Sequence, residues 1–254
     1  MELMKFKIFG EGVKHGISTR DGGVSPAPFE SLNLAIDDSE DKWSNVEENY
    51  RRFCEEVGVD FERLVVPIQR HTDNILVVSE GHGIDHPIDQ VDGFMTNVVG
   101  LPLLVRMADC QPVLMYDPVC RVVAAVHSGW KGSVQNIIGK AVRKMCAEFG
   151  CDASNILVGI GPSIGECCCE FTDPYTELPQ EFHKYVAPAL GLFTMTPGWF
   201  VDFWKCSLDQ LAEVGVKREN IELSGVCTSC NTDKYFSFRA EKPATGRMGA
   251  VICL

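Results

Sequence analysis

The sequence predicts an α/β protein of the α+β type: a single domain over residues 1–254, with mixed β-sheets flanked by helices. Three observations carry that expectation. Short apolar, β-branched runs bounded by Gly, Pro, Asn and Asp recur along the chain, which is the pattern of strands. Helical stretches interrupt them at irregular intervals, so the strict alternation of a doubly wound sheet is missing. No repeat, low-complexity run or linker divides the 254 residues, a length that fits one large domain.

The elements follow in order. Gly22–Ala35 is rich in Gly and Pro and reads as a loop that settles into something more ordered. A helix is predicted from Ser44 to Val57, capped by Ser44 or Asn45, with acids in its first turn and Gly58 at its end. "RLVVPIQRHTDNILVVSE" reads as two strands around a turn at Thr72-Asp73-Asn74, with His71 at the end of the first. "GLPLLVRMADCQPVLMYD" reads as a strand pair broken near Asp109–Pro112. Pro112 cannot donate to a ladder, so a bend or bulge is expected there. "RVVAAVH" is a further strand; it leads through Ser-Gly-Trp-Lys-Gly into a helix from Ser133 to Phe149, with Gly150 beyond it. "NILVGIGP" is a strand, "EFHKYVAPAL" a helix to about Val186, and "KCSLDQLAEVGV" a helix closed by Gly215. "NIELSG", "YFSFRA" and "GRMGAVICL" read as late strands.

The formal net charge is −12 and no basic tract stands out, which argues against nucleic acid or an anionic membrane surface as partner. "MELMKFKIFGEGVKHG" has no apolar core with a cleavage site, and no run nears the ~18–20 apolar residues of a membrane span. The expected location is cytoplasmic. Twelve cysteines in such a chain are expected to be reduced, and mostly buried as small hydrophobes.

His71, Cys110 and His127 form the leading constellation. They lie 39 and 17 residues apart, each at a predicted strand end. Cys110 and His127 meet if their strands pair around the Asp117-Pro118 turn. A nitrogen, a sulfur and a nitrogen suit zinc, and three protein ligands leave the open fourth position of a catalytic metal. The same atoms allow Cys110 as a nucleophile with His127 as its base and Asp109 or Asp117 orienting the imidazole. They also allow a buried thiol beside two hydrogen-bonded histidines. Spacing leaves all three readings open.

The Gly-rich turn after His127 delivers the chain into a helix, where free N–H groups could bind an anion with Lys131 nearby. Arg20, Asn33 and Arg247 are polar residues in Gly-rich turns and are candidate ligand contacts. "CTSC" (Cys227–Cys230) has no second such pair, so it reads as a tight turn with packed thiols. Three consecutive side chains cannot share one strand face, so "ECCCEF" is not expected to form a three-thiolate metal site. His82 and His86 read as surface-loop residues, His15 and His183 as structural.

Taken in order, "HGISTRDGGVS", "SLNLA", "QRH", "DGFMTN", "ADCQPVLMYDP", "AAVHSGWKG", "GIGPSIGECCCE", "CTSC", "FSFR" and "TGRMGAVI" resemble the zinc-dependent purine nucleoside phosphorylase family, formerly described as polyphenol oxidases or laccase-domain proteins. The resemblance runs from His15 to the C-terminus. It implies mixed sheets flanked by helices and a catalytic zinc on His71, Cys110 and His127. The implied partners are a purine nucleoside and phosphate. The implied reaction is phosphorolysis of adenosine, inosine, guanosine or methylthioadenosine to a base and a pentose 1-phosphate. Arg20, Asn33, Lys131 and Arg247 would contact substrate or phosphate. Adenosine deamination is implied as well; for that reaction a carboxylate such as Asp109 is the candidate to move protons. Lys131 stands where the family more often has Arg, Ser128 where it has Ala, and Cys169 where it has Tyr; these departures touch substrate contacts, not the three ligands. One rival is a copper-dependent phenol oxidase, since two His and one Cys also suit copper. A multicopper enzyme needs a further His-rich cluster, and the chain has six His in all. The other rivals are a cysteine hydrolase or amidase built on Cys110 and a non-catalytic metal-binding protein.

Overall fold

The computed structural model describes residues 1–36, 40–190, 197–242 and 244–254. The chain opens with β1 (Leu3–Met4), β2 (Lys14–Ser18) and helix α1 (Trp43–Val57). Next come β3 (Pro67–Ile68), β4 (Ile75–Val77), β5 (Ile88–Asp89) and β6 (Gly93–Thr96). The central run is β7 (Leu103–Met107), β8 (Gln111–Asp117), β9 (Val122–Ser128), α2 (Trp130–Val134) and α3 (Ile137–Phe149). It continues with β10 (Leu157–Ile160), β11 (Glu170–Phe171), α4 (Pro174–Glu177) and β12 (Val186–Leu190). The last elements are β13 (Pro197–Val201), α5 (Phe203–Glu213), β14 (Ile221–Leu223), α6 (Phe238–Glu241) and β15 (Met248–Cys253).

Every residue of β8 and β9 is buried, so both faces of this hairpin need a covering layer. The hairpin is the centre of a six-stranded mixed sheet in the order β14-β10-β8-β9-β6-β4. Leu114, Tyr116, Val123 and Ala125 point at a four-stranded antiparallel sheet, β1-β2-β15-β7, and meet Ile17, Leu103, Val105 and Ile252 there. Val113, Met115, Val122 and Ala124 point the other way, against Ile138, Ala141 and Met145 of α3 and Leu211 of α5. On the outer face of the four-stranded sheet, Tyr50, Phe53 and Val57 of α1 pack on Leu104 and Val251. Phe53 is fully buried, and truncating it to Ala would cost about 3–5 kcal/mol. The α/β class expected from sequence is therefore observed, as two stacked sheets with helices on both outer faces. Among the described residues, no helix is long and apolar enough to cross a membrane.

Several local expectations differ from the structure. The helix Ser133–Phe149 is two helices, because Asn136 adopts a left-handed φ of 57° and its side chain accepts from Gly139 N to start α3. Helix α1 begins one residue early, with Lys42 at its N-cap and no side-chain cap, and its first turn holds no acid. The two strands around Thr72–Asn74 never pair with each other; β3 pairs with β5 and β4 with β6, both in parallel. Likewise β7 and β8 belong to different sheets. The break between them falls at Asp109, at a φ of 88°, while Pro112 sits in unbroken register opposite His127. "YFSFRA" is not a strand. Ser237 caps the short α6 by accepting from Ala240 N, and Glu241 accepts from Ser237 N in return. Residues 180–185 form a 3₁₀ helix, not the α-helix running to about Val186 that the sequence predicts, and Val186 opens β12.

Candidate metal centre

Hairpin register brings two of the three predicted ligands together. Gln111 pairs with Ser128 and Pro112 with His127, so Cys110, one residue before β8, falls beside Gly129. Cys110 lies where the chain crosses from one sheet to the other. His71 arrives from the loop between β3 and β4, in the left-handed region at a φ of 57°. Gly129 makes room for it: a Cβ there would stand 2.3 Å from His71 Cδ2 and 3.2 Å from Cys110 Sγ. Strained residues of this kind persist where the surroundings over-determine them.

The determinant is Asp92, fully buried just before β6. Its carboxylate accepts from His71 N at 3.1 Å, from Thr72 N and Oγ1 at 2.7 Å each, and from Arg70 N at 3.2 Å. It also accepts from His127 Nδ1 at 2.8 Å. One carboxylate thus fixes the loop of one histidine and the ring of another, leaving Nε2 of His127 to face Cys110. Sequence reasoning did not single out Asp92; its only trace is the Asp before Gly at the head of an apolar strand, in "DGFMTN". Asp117, a sequence candidate for orienting His127, lies at the far end of the hairpin, where it accepts from Val119 N and Cys120 N.

Cys110 Sγ is 3.6 Å from His71 Nε2, and the two imidazole rings stand 5.0 Å apart at 78°. The three ligand atoms all lie within 4.8 Å of one another. Zn–S and Zn–N bonds of about 2.3 and 2.05 Å in a tetrahedron place sulfur and nitrogen about 3.6 Å apart. The donor set therefore fits a tetrahedral metal with its fourth position open. Burial opposes ionisation of Asp92, but His127 and the Thr72 donors hold its pKa down at about 2. Burial likewise opposes charge on Cys110 and His127. Each nevertheless favours charge on the other, lowering the thiol and raising the imidazole, with Asp92 adding to the second effect.

The trio lines a cavity of about 460 Å³. Trp130, Phe171, Phe203 and Phe238 line it, as do Arg106, Arg239 and Arg247; the Arg106 guanidinium is itself buried and donates to Pro67 O at 2.7 Å. Sequence reasoning named only Arg247 of these seven. Arg239 donates to the carbonyls of Cys168 and Glu170, both at 3.0 Å. Arg106 is held through Gln69, whose side chain bonds both its N–H and its carbonyl.

The remaining sequence candidates separate cleanly. Arg20 does not line the cavity; it donates to Glu30 O, Thr232 O and Glu241 Oε1 and lies over the Phe236 ring at 4.6 Å. Asn33 is fully buried and accepts from Ala35 N and Arg247 N. Lys131 is exposed, its Nζ 5.5 Å from the Trp130 ring centre, and does not line the cavity. Asp109 does line it, but both its oxygens are engaged: Oδ1 accepts from Thr228 Oγ1 and Ser237 Oγ at 2.7 Å each, and Oδ2 from Arg239 N at 2.6 Å. His82 and His86 are exposed, and buried His15 accepts from Phe6 N.

An open two-histidine, one-cysteine trio on a mixed α/β fold makes this a candidate metal-binding protein. Residues 14–254 match the family described as multi-copper polyphenol oxidoreductase laccase, and the chain belongs to that family. It is 32% identical to the purine nucleoside phosphorylase YlmD of Geobacillus stearothermophilus over 95% of this chain and 90% of YlmD. The crystal structure of that protein superposes with a TM-score of 0.85, over 98% of this chain and 93% of the other. The purine nucleoside phosphorylase SCO2081 of Streptomyces coelicolor is 35% identical over 96% of both chains. The purine nucleoside phosphorylase LACC1 of Mus musculus is 35% identical over 93% of this chain, which spans about half (54%) of LACC1's length.

Proposed function

We propose that this chain is a zinc-dependent purine nucleoside phosphorylase, cleaving adenosine, inosine, guanosine or methylthioadenosine with phosphate into a base and a pentose 1-phosphate. One observation carries the reading: the open trio shares its cavity lining with three arginines and four aromatic residues, in a chain of net charge −12. A basic cavity in an acidic protein suits an anion, and planar guanidinium forks match phosphate oxygens. The aromatic side chains offer faces and edges to a purine. The names of the relatives in G. stearothermophilus and S. coelicolor support the same chemistry.

His71, Cys110 and His127 would hold the zinc, which when bound supplies a Lewis acid and a template for an oxygen ligand. Asp92 fixes the tautomer of His127 and the position of His71, so the ligands need little rearrangement to bind metal. Arg239 and Arg247 would hold the anion beside the sugar, with Arg106 adding positive charge behind the lining. Asp109 positions Arg239 and the Ser237 segment; with both oxygens engaged, it is poorly placed to carry protons. That favours phosphorolysis over adenosine deamination. Copper would also accept this donor set, but among the described residues no second histidine-containing group of ligands accompanies the trio, as a multicopper centre requires.

A second reading draws on the line Asp92–His127–Cys110, an acid, a base and a thiol in the order a cysteine nucleophile uses. The second imidazole on the same sulfur favours the metal. Base release from adenosine and inosine, followed with and without phosphate, tests the proposal. The expected result is cleavage that requires phosphate and yields a pentose 1-phosphate visible by ³¹P NMR. Ammonia release without phosphate would instead indicate deamination, and equal activity before and after complete metal removal would sink the zinc mechanism.

A further inference from the structure

Four cysteines outside the cavity converge from two loops. Cys167 and Cys168 lie between β10 and β11, and Cys227 and Cys230 between β14 and α6. We propose that Cys167, Cys168, Cys227 and Cys230 bind a zinc ion in a closed, four-sulfur structural site.

Geometry is the first support. The four sulfurs all lie within 4.8 Å of one another. Cys230 Sγ is 3.4 Å from Cys168 Sγ and 3.6 Å from Cys167 Sγ. A zinc tetrahedron with bonds of about 2.3 Å sets its sulfurs about 3.8 Å apart, whereas a disulfide needs about 2.05 Å. These contacts are close to the first value and far from the second.

The backbone holds this arrangement. Ser163 N donates to Val226 O and Thr228 N to Ser163 O, both at 3.1 Å, pinning the two loops side by side. Cys168 N and Cys169 N both donate to Gly165 O, so residues 165–169 form a turn. In a strand, neighbouring side chains would point to opposite faces; in this turn the Cys167 and Cys168 thiols both reach Cys230. Cys169 turns the other way and lines the cavity.

Thiolate-binding features are the second support. Gly165 N points at Cys227 Sγ at 3.3 Å, and the Cys230 amide points at the same sulfur. Amide donors of this kind suit a metal-bound thiolate, and a divalent cation among the four sulfurs would take the place of their protons. Four sulfur ligands leave no open position, which is the pattern of a structural zinc.

The site has work to do in this fold. The Cys227–Cys230 loop carries Thr228, which donates to Asp109, and Cys168 O accepts from Arg239. A metal here would staple together the two segments that hold the Arg239 side of the cavity. The inference does not depend on which metal, if any, the histidine-containing trio takes.

The test uses the full chain carrying His71→Ala and Cys110→Ala, purified without a chelating tag under reducing conditions. Elemental analysis is expected to find about one zinc per chain, and X-ray absorption at the zinc edge a shell of four sulfurs at about 2.3 Å. Adding Cys227→Ser and Cys230→Ser should remove that zinc. The absorption measurement needs only the first protein, so misfolding of the second leaves the test intact. A zinc-free first protein, nitrogen or oxygen ligands in the shell, or a disulfide among the four cysteines in intact-mass analysis would overturn the proposal.

Discussion

His71, Cys110 and His127 face a cavity from three separate segments, whereas Cys167, Cys168, Cys227 and Cys230 face one another across two loops. The first group mixes nitrogen and sulfur and stops at three ligands. The second is all sulfur and has four. One is oriented by a buried carboxylate that fixes one imidazole and the loop of the other histidine; the other by backbone amides aimed at a thiol. An open position lets a metal meet a substrate, while a closed one lets it only hold protein together. Activity should therefore follow the first group, and stability the second.

The largest expected effect is at the open trio. Cys110→Ala should lower kcat/KM for phosphate-dependent cleavage by about 10³-fold or more, since a Lewis acid supplies several kcal/mol and each 1.36 kcal/mol is tenfold. Retained activity would break the comparison at once.

Asp92→Asn comes next. Zinc affinity at the trio, measured by competition with a chromophoric chelator, should fall by about 10–100-fold, the usual cost of losing the partner of a ligating histidine. The same variant has a pH signature. Asp92 titrates at about 2 in the folded chain, against about 3.9 in an unfolded one. Its contribution, about 2–3 kcal/mol, is full above the unfolded value and disappears as pH falls through the folded one. Metal-free Asp92→Asn should therefore show a shallower loss of stability between pH 5 and pH 2 than the parent chain.

A smaller effect on catalysis is expected from Cys227→Ser with Cys230→Ser. kcat/KM should fall by less than about tenfold, while Tm drops by about 2–4 °C for each kcal/mol the staple supplies. The reverse pattern would show that the two groups have been given each other's roles. The smallest change belongs to Lys131→Ala. Its side chain lies over Trp130 outside the cavity, so KM for phosphate should move by less than about fivefold, an exposed charge being worth roughly 1 kcal/mol at most.

The sequence was informative where one strand pairing decided the outcome. A single turn at Asp117-Pro118 brings Cys110 near His127, and counting residues from that turn was enough to pair them. It was uninformative where packing between distant segments decides. Arg20 and Arg247 both sit in Gly-rich turns, yet only Arg247 reaches the cavity, because β15 carries its neighbours into the sandwich while Arg20 braces Thr232 and Glu241. Asp92 was missed because its partners lie some 20 residues before it and 35 after it in the chain. For the three consecutive cysteines, strand geometry speaks only against all three sharing one site; a turn at Gly165 lets two of them meet "CTSC" while Cys169 lines the cavity. "YFSFRA" read as a strand from its aromatic residues, but Ser237 and Glu241 cap a helical turn, and that turn presents Phe238 and Arg239 to the cavity.

The division between the two groups is tested most directly by stepwise chelation of the zinc-loaded chain, with zinc content, zinc-edge absorption and phosphate-dependent base release followed together. Activity should disappear with the zinc held by nitrogen and sulfur, while the four-sulfur signal and the fold persist, and should return when that zinc is restored. Undiminished base release from a chain stripped of all metal would contradict the account.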